Sequence, residues 1–138
     1  MKYSLLILLL FSNTASSCFM VCSGLEDYVA SSKYVFYATD VRVNFLGQNP
    51  DEGEPMTDVN FEVKKTWKGD WGNSTLITKD NKYSCEGYDF KEDKEYIMTI
   101  IDEEQISFCD IHEFSKELES KLDVLFQQEP SNRVAEGI

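Results

Sequence analysis

Apolar and polar residues alternate with a period of two over long stretches of this chain, a pattern typical of β-strands that have one face on a core. The clearest stretch runs from Val35 to Phe45, where every second residue is apolar or threonine. Nearly continuous apolar residues from Tyr96 to Ile101 predict a strand that is buried on both faces. Five strands are predicted at 33–46, 58–67, 74–79, 83–86 and 94–101, and the segment 106–109 is predicted to extend the sheet.

Two segments have the spacing of amphipathic helices, one before the strands and one after them. A short helix is predicted over 24–32, where Leu25, Tyr28 and Val29 share a face. A longer helix is predicted over 111–127, with Asp110 as its N-cap and Glu113 completing a capping box. Its apolar positions are Ile111, Phe114, Leu118, Leu122 and Leu125.

The order of short helix, five strands and long helix predicts a mainly β fold. Five antiparallel strands of unequal length suit a small closed barrel of the OB type, with a first strand long enough to serve both halves. A two-layer α+β sheet is the alternative. Trp67 and Trp71 bracket the turn after the second strand, and both are predicted to anchor that turn by packing.

The first 17 residues have the features of an export signal. Lys2 supplies a positive charge, residues 5–11 are apolar, and Ala15 and Ser17 are small residues at the −3 and −1 positions of a cleavage site. We therefore predict a signal peptide over 1–17, a folded domain over 18–128 and a flexible tail over 129–138. The expected location is extracytoplasmic, either secreted or periplasmic, and the alternative is an uncut N-terminal anchor.

The chain is strongly acidic, with 25 Asp and Glu against 13 Lys and Arg and a formal net charge of −12. Such a surface repels phosphate groups, which argues against nucleic acid as a partner. The acidic runs at 51–54 and 102–104 lack EF-hand spacing and are interpreted as solvated loops, so no metal or other cofactor is expected. The single histidine, His112, is predicted to be a surface or capping residue, and no acyl-transfer constellation indicates an enzyme.

Four cysteines follow the predicted cleavage site, namely Cys18, Cys22, Cys85 and Cys109. An even number of cysteines in an exported domain implies two disulfides, for which three pairings are possible. No C-x-x-C motif indicates a redox or zinc-ribbon site. Long-range pairing is favoured, because closing a loop of more than about sixty residues contributes roughly 4 kcal/mol in the chain-entropy model.

Several short motifs follow one another in a definite order between residues 18 and 126. They are Cys18 with Cys22 close behind, the helix 24–32 before Tyr34-Val35-Phe36-Tyr37-Ala38, the tripeptide Trp67-Lys68-Gly69, the run Cys85-Glu86-Gly87-Tyr88-Asp89-Phe90 before Lys94-Glu95-Tyr96-Ile97-Met98, and Cys109 before the last helix. In this order they resemble the N-terminal domain of the tissue inhibitors of metalloproteinases and its bacterial, single-domain and netrin-module relatives. The fold that this resemblance implies is an OB-like barrel.

The resemblance also implies a disulfide pairing and an activity. The implied pairs are Cys18–Cys85 and Cys22–Cys109. The free α-amine and the carbonyl oxygen of Cys18 would chelate the zinc of a target metalloprotease, at the coordination position that normally holds water. Phe19 would enter the S1′ pocket, and Met20 and Val21 would complete the contact with the protease.

The chain also departs from the animal members of that family. Three residues rather than one separate the first two cysteines, and the third disulfide and second domain are missing. The apolar run Phe19-Met20-Val21 is either an exposed binding surface or packed against the barrel. The alternative function is a non-inhibitory extracytoplasmic binding or structural module of the same fold.

A lipid anchor on Cys18 belongs to this alternative, because acylation would block the amine. The preceding Ala15-Ser16-Ser17 lacks the leucine of a typical lipobox, and lipidation would leave an odd number of cysteines. Contact with a membrane is expected only with such an anchor or with an uncut signal. The protein is expected to be a monomer.

Overall fold

A computed structural model describes residues 21–48, 55–81 and 84–127 of the chain. These residues form a five-stranded antiparallel sheet and two α-helices, so the predicted mainly β class is confirmed. In chain order the elements are α1 (Leu25–Ser31), β1 (Tyr34–Gln48), β2 (Pro55–Lys68), β3 (Thr75–Lys79), β4 (Tyr96–Ile100), a 3-10 turn (Phe108–Asp110), β5 (Ile111–Glu113) and α2 (Lys116–Gln127).

The 15-residue strand β1 lies at the centre of the sheet, whose strand order is β3-β2-β1-β4-β5. It pairs with β2 over most of its length and with β4 over its first five residues. The register with β2 shifts between Thr39 and Arg42, and Asp40 between them has a φ of +53°. Irregularities of this kind bend the strand that carries them, so β1 turns near its middle.

The hydrogen-bonded sheet of the described residues is open, and the closed barrel predicted from the sequence is not confirmed. β3 and β5 form its two edges. The predicted strand at 83–86 is not seen, because the described part of that segment, 84–86, enters a turn closed by the N–H of Gly87 on the carbonyl of Ser84 at 3.2 Å. β5 has only three residues. The turn at 84–86 and the short β5 both reduce the number of strand residues that could pair to close the sheet into a barrel.

Each face of the sheet carries its own apolar cluster. One cluster joins residues of β1, β2, β3 and β4 to Phe90, Ile106 and Ile111. The other joins Val35 and Ile97 of the sheet to Val29 of α1 and Leu122 of α2. All five residues of β4 are buried, which confirms the prediction made from its continuous apolar run.

The second helix begins later than predicted. Residues 111–113 are β5, which pairs with β4 through His112 opposite Ile97, and α2 starts at Lys116. The N-cap is Ser115, whose Oγ accepts a hydrogen bond from the N–H of Leu118 at 3.1 Å. The prediction that Asp110 caps this helix with Glu113 is therefore wrong.

Candidate functional site

A disulfide between Cys22 and Cys109 attaches the N-terminal segment to the sheet. The Cα atoms of the two residues lie 5.5 Å apart, and the bond spans 87 positions of sequence. It is one of the two pairs that the resemblance implies. Cys109 is buried in the 3-10 turn before β5, whereas Cys22 is exposed. Cys22 therefore lies at the surface of the described fold.

The residues predicted to bind a protease fall mostly outside the described chain. Cys18, Phe19 and Met20 lie outside it. Val21 is described, and 80% of its surface is exposed although the side chain is apolar. For this residue the structure favours an exposed surface over packing against the sheet.

The turn that carries Cys85 lies beside the turn that carries Cys109. Cys85 takes part in a disulfide as well. The backbone N–H of Phe108 donates to the carbonyl oxygen of Glu86 at 2.8 Å, so the chain neighbours of the two cysteines are hydrogen-bonded to each other. No pattern in the sequence indicated this contact, because it joins two irregular segments.

Gly87 fits the Cys85 turn closely against the end of β3. A Cβ atom at this position would lie 2.5 Å from the carbonyl oxygen of Lys79 and 2.7 Å from the backbone nitrogen of Asn81. Both are backbone atoms, which cannot move aside as a flexible side chain can. Lys79 also forms an ion pair with Glu86, with Nζ and Oε2 2.6 Å apart. The turn is therefore held on two sides.

Tyr88 connects the same turn to the apolar core. Its ring centroid lies 5.5 Å from that of Phe108, 5.0 Å from that of Phe90 and 5.6 Å from that of Tyr96. Burial, followed by the influence of Tyr96 and nearby carboxylates, raises the pKa of Tyr88 to about 12. The phenol therefore stays neutral at physiological pH. The rings of Tyr88, Phe90, Tyr96 and Phe108 pack together, so the Cys85 turn and the Cys109 turn contact the same aromatic cluster.

Asp110 stabilises the 3-10 turn that contains Cys109. Its Oδ2 accepts a hydrogen bond from the N–H of Ser107 at 2.9 Å, and its own N–H donates to the carbonyl of Ser107 at 3.0 Å. The residue is only 3% exposed. Burial raises the pKa of this carboxyl group, against the opposing effect of the hydrogen bonds from Ser107. The aspartate predicted to cap a helix thus braces the disulfide turn instead.

His112 lies on β5 and is partly buried, which corrects its predicted role as a surface or capping residue. Its Nε2 is 3.0 Å from Oγ1 of Thr99, a fully buried residue of β4. Thr99 Oγ1 also donates to the carbonyl oxygen of Asp110 at 3.3 Å. Burial lowers the pKa of the His112 imidazole, which favours its neutral form. These contacts tie the end of the Cys109 turn to the sheet.

Both tryptophans pack as the sequence predicts. The Nε1–H of Trp67 donates to Oδ1 of Asp123 on α2 at 2.7 Å, and Nζ of Lys65 lies 5.0 Å from the centroid of the Trp67 ring. Trp71 stacks on Phe36, with ring centroids 5.6 Å apart. The first tryptophan fastens α2 to the sheet, and the second covers the other face.

Within residues 21–48, 55–81 and 84–127, no group of three or more His, Cys, Asp or Glu side chains is placed to hold a metal ion. No helix in the same ranges is long and apolar enough to cross a membrane. No family model matches the chain, and no curated protein matches it.

Proposed function

We propose that this protein is an exported inhibitor of zinc metalloproteases that acts through its N-terminal segment. The observation that carries the proposal is the Cys22–Cys109 disulfide with Val21 exposed beside it. A covalent bond to Cys109, which is buried in the 3-10 turn before β5, fixes one end of the segment 18–22. The apolar side chain next to that bond faces solvent, where a partner can reach it.

The second disulfide of the proposal is Cys18–Cys85. It is the other pair that the resemblance implies, and the disulfide-bonded state of Cys85 is compatible with it. The Glu86–Phe108 hydrogen bond supports this pairing, because it brings the Cys85 turn next to the Cys109 turn. Both ends of the five-residue segment would then be attached to neighbouring parts of the fold.

The chemistry of inhibition follows from such a fixed terminus. A catalytic zinc ion keeps one coordination position for water. A neutral α-amine and the carbonyl oxygen of the same residue form a five-membered chelate ring with the metal and displace that water. Two disulfides would hold the chelating atoms in place before binding, which lowers the ordering cost of association. Phe19 would then enter the S1′ pocket of the protease.

The architecture of the described residues is compatible with the OB-like fold that the resemblance implies. OB folds are partly open five-stranded barrels, and their first strand is shared between two halves of the sheet. Here β1 is 15 residues long, pairs with both β2 and β4, and is bent at Asp40. The carbonyl of Ile106 accepts a hydrogen bond from Oγ1 of Thr78 at 3.3 Å, which brings the segment before β5 towards the β3 edge. The observed disulfide is compatible with an extracytoplasmic location.

The experiment compares two forms of the exported protein, one starting at Cys18 and one extended by a single alanine. Intact mass spectrometry first establishes the N-terminus and two disulfides. Both forms are then titrated against a panel of zinc endopeptidases. We expect inhibition by the first form and a loss of about 100-fold or more in the second, because the added residue removes the α-amine from the chelate.

Three results would reject this proposal. Equal inhibition by the two forms would show that the α-amine of Cys18 is not the inhibitory group. Inhibition by neither form would leave the non-inhibitory module as the better description of the protein. An acylated Cys18 in the exported material would do the same and would indicate a lipid-anchored module. A serine endopeptidase serves as the control target, because it has no zinc for Cys18 to bind.

A further inference from the structure

One asparagine of the chain has the sequence context of an N-glycosylation acceptor. Asn73 is followed by Ser74 and Thr75, which fits the motif N-x-S/T with a middle residue other than proline. None of the other asparagines in the sequence has a serine or threonine two residues later. In an exported protein such a glycan stands on a surface loop, so the structure around Asn73 decides whether the fold can accommodate one.

Asn73 lies in the turn that joins β2 to β3, and this turn is open to solvent. Gly72, Asn73 and Ser74 are exposed in succession, and a Cβ atom built on Gly72 would have no neighbouring atom within 4 Å. No other described residue forms a hydrogen bond with the Asn73 side chain. A substituent on Nδ2 of Asn73 would therefore break no hydrogen bond of the described chain.

Contacts on both sides of Asn73 fix the position of the turn. Two residues before it, the ring of Trp71 stacks on Phe36, with ring centroids 5.6 Å apart. Directly after it, the carbonyl oxygen of Ser74 accepts a hydrogen bond from the N–H of Phe61 in β2 at 2.8 Å. The acceptor asparagine is thus held at the surface, next to the start of β3.

The strand that begins directly after this motif is an edge of the described sheet. Thr75 is the first residue of β3, and β3 pairs with β2 on one side. Two residues further along, the apolar side chain of Ile77 is 54% exposed. Edge strands can pair with a strand of another molecule, and natural proteins cover such edges. A glycan on Asn73 would place a bulky, hydrated group beside the start of this edge.

We propose that Asn73 is an N-glycosylation site and that its glycan hinders strand addition at the β3 edge. The donor is an oligosaccharide joined through pyrophosphate to a polyprenyl lipid. Nδ2 of Asn73 forms a bond to C1 of the first sugar, and the bond from C1 to the pyrophosphate oxygen breaks. The lipid pyrophosphate leaves, and one amide proton passes to a base of the transferase. The motif requires the hydroxyl group of Thr75.

The first measurement is the mass of the Asn73 peptide in protein recovered from the cells that naturally export it. We expect a mass above that of the bare peptide. An amidase that releases N-linked glycans should remove the added mass and leave aspartate at position 73. An unmodified Asn73 in this material would overturn the proposal. The readout needs export but not protease inhibition, so its failure is distinguishable from failure of the inhibitor proposal.

Variants of the full chain, exported from cultured eukaryotic cells, assign the added mass to this motif. Asn73→Gln and Thr75→Ala should both lose it. Thr75→Ser should keep it, because serine retains the hydroxyl group, and this separates recognition of the motif from an effect of Thr75 on the fold. Asn44→Gln, at an exposed position of β1 outside any such motif, should also keep it. Added mass in Asn73→Gln would overturn the assignment.

The effect on the β3 edge is tested by light scattering near the isoelectric point of about 4.4. Asn73→Gln has no glycan and the same formal charge as the unmodified chain. We expect it to associate severalfold faster than the glycosylated protein, because the start of β3 is no longer covered. Asn44→Gln should associate at the rate of the glycosylated protein. Equal rates for Asn73→Gln and the glycosylated protein would overturn the protective role.

A glycan moved to another surface separates protection of the edge from a general gain in solubility. In the double variant Asn73→Gln/Ala30→Asn, the new asparagine forms an acceptor motif with Ser31 and Ser32 without a change of charge. Position 30 is an exposed part of α1, a helix that packs on Val35 of β1 and Ile97 of β4. This variant should gain the added mass and still associate as fast as Asn73→Gln. Slow association with the moved glycan would overturn protection of the β3 edge.

Discussion

Individual residues around Cys109 show how burial controls protonation in this fold. Burial raises the pKa of Asp110 and lowers the pKa of His112, so both side chains are shifted towards their neutral forms. The two shifts act on stability in opposite senses and at different pH. The raised pKa of Asp110 adds to the free energy of unfolding fully below the unfolded pKa of 3.8, and this contribution is lost as pH rises through the folded value. The lowered pKa of His112 adds to the free energy of unfolding near neutral pH, and that contribution is lost on acidification.

The pH dependence near neutrality should come from His112. Its folded pKa is below the ordinary value of 6.5, so on acidification the unfolded chain takes up a proton before the folded protein does. The free energy of unfolding should therefore fall as pH drops below about 6.5. Urea unfolding at a series of pH values measures this slope. His112→Gln keeps a hydrogen-bonding group near Thr99 but does not titrate, and an unchanged slope in that variant would contradict the assignment.

Gly87 should be intolerant of substitution. Gly87→Ala places a methyl group about 2.5 Å from the carbonyl oxygen of Lys79, so the Cys85 turn or the end of β3 must shift. We expect a loss of roughly 1–3 kcal/mol in the free energy of unfolding. Gly72→Ala is the matched control, because a Cβ there has open space, and it should be neutral or slightly stabilising. Equal stabilities of the two variants would show that the turn is not tightly packed.

The elements that the sequence predicts well are those whose apolar pattern fits only one kind of element. The strand predicted at 94–101 is β4 at Tyr96–Ile100, and the helix predicted at 24–32 is α1 at Leu25–Ser31. The segment 111–113 was missed because Ile111 fits a helical stripe with Phe114 and Leu118 as well as a strand. The segment is a strand because His112 pairs with Ile97 of β4. A local sequence pattern cannot predict such a contact between distant segments.

The start of α2 should depend on Ser115. Removing its hydroxyl group in Ser115→Ala leaves the N–H of Leu118 without its side-chain acceptor, at an expected cost of about 1 kcal/mol in unfolding free energy. Ser120→Ala, at an exposed position inside α2, should be neutral or slightly stabilising because alanine favours helix. Chemical denaturation of the two variants tests this. A larger loss from Ser120→Ala would argue against the cap.

For the whole molecule, the disulfide that joins residues 87 apart is expected to contribute much of the stability. The double variant Cys22→Ser/Cys109→Ser should lose about 4 kcal/mol in unfolding free energy, because the unfolded chain regains a long open loop. That loss is a large part of the net stability of a small domain. Urea denaturation measures it, and Cys22→Ser alone should be affected to a similar extent. A loss below about 1 kcal/mol would indicate that the cross-link does not constrain the fold.

The sequence predicts only part of the candidate site. Cysteine count and spacing favoured long-range disulfides, and the structure contains one of them. The contact between the Cys85 and Cys109 turns could not be foreseen, because it depends on a hydrogen bond between Glu86 and Phe108 in irregular chain. The closed barrel was over-predicted for a related reason, since closure depends on how distant edges meet and not on the length of any single strand.

The open edge at β3 has a consequence for the behaviour of the protein in solution. An edge strand is a template on which another molecule can add its own strand. In the described part of the chain the Ile106 segment and the Cys85 turn cover part of the β3 edge, and Ile77 stays exposed on the same strand. At neutral pH the excess of carboxylates keeps copies apart by mutual repulsion. Near the isoelectric point of about 4.4 that repulsion disappears, and we expect strand addition at the edges of the described sheet, β3 among them, to become easier.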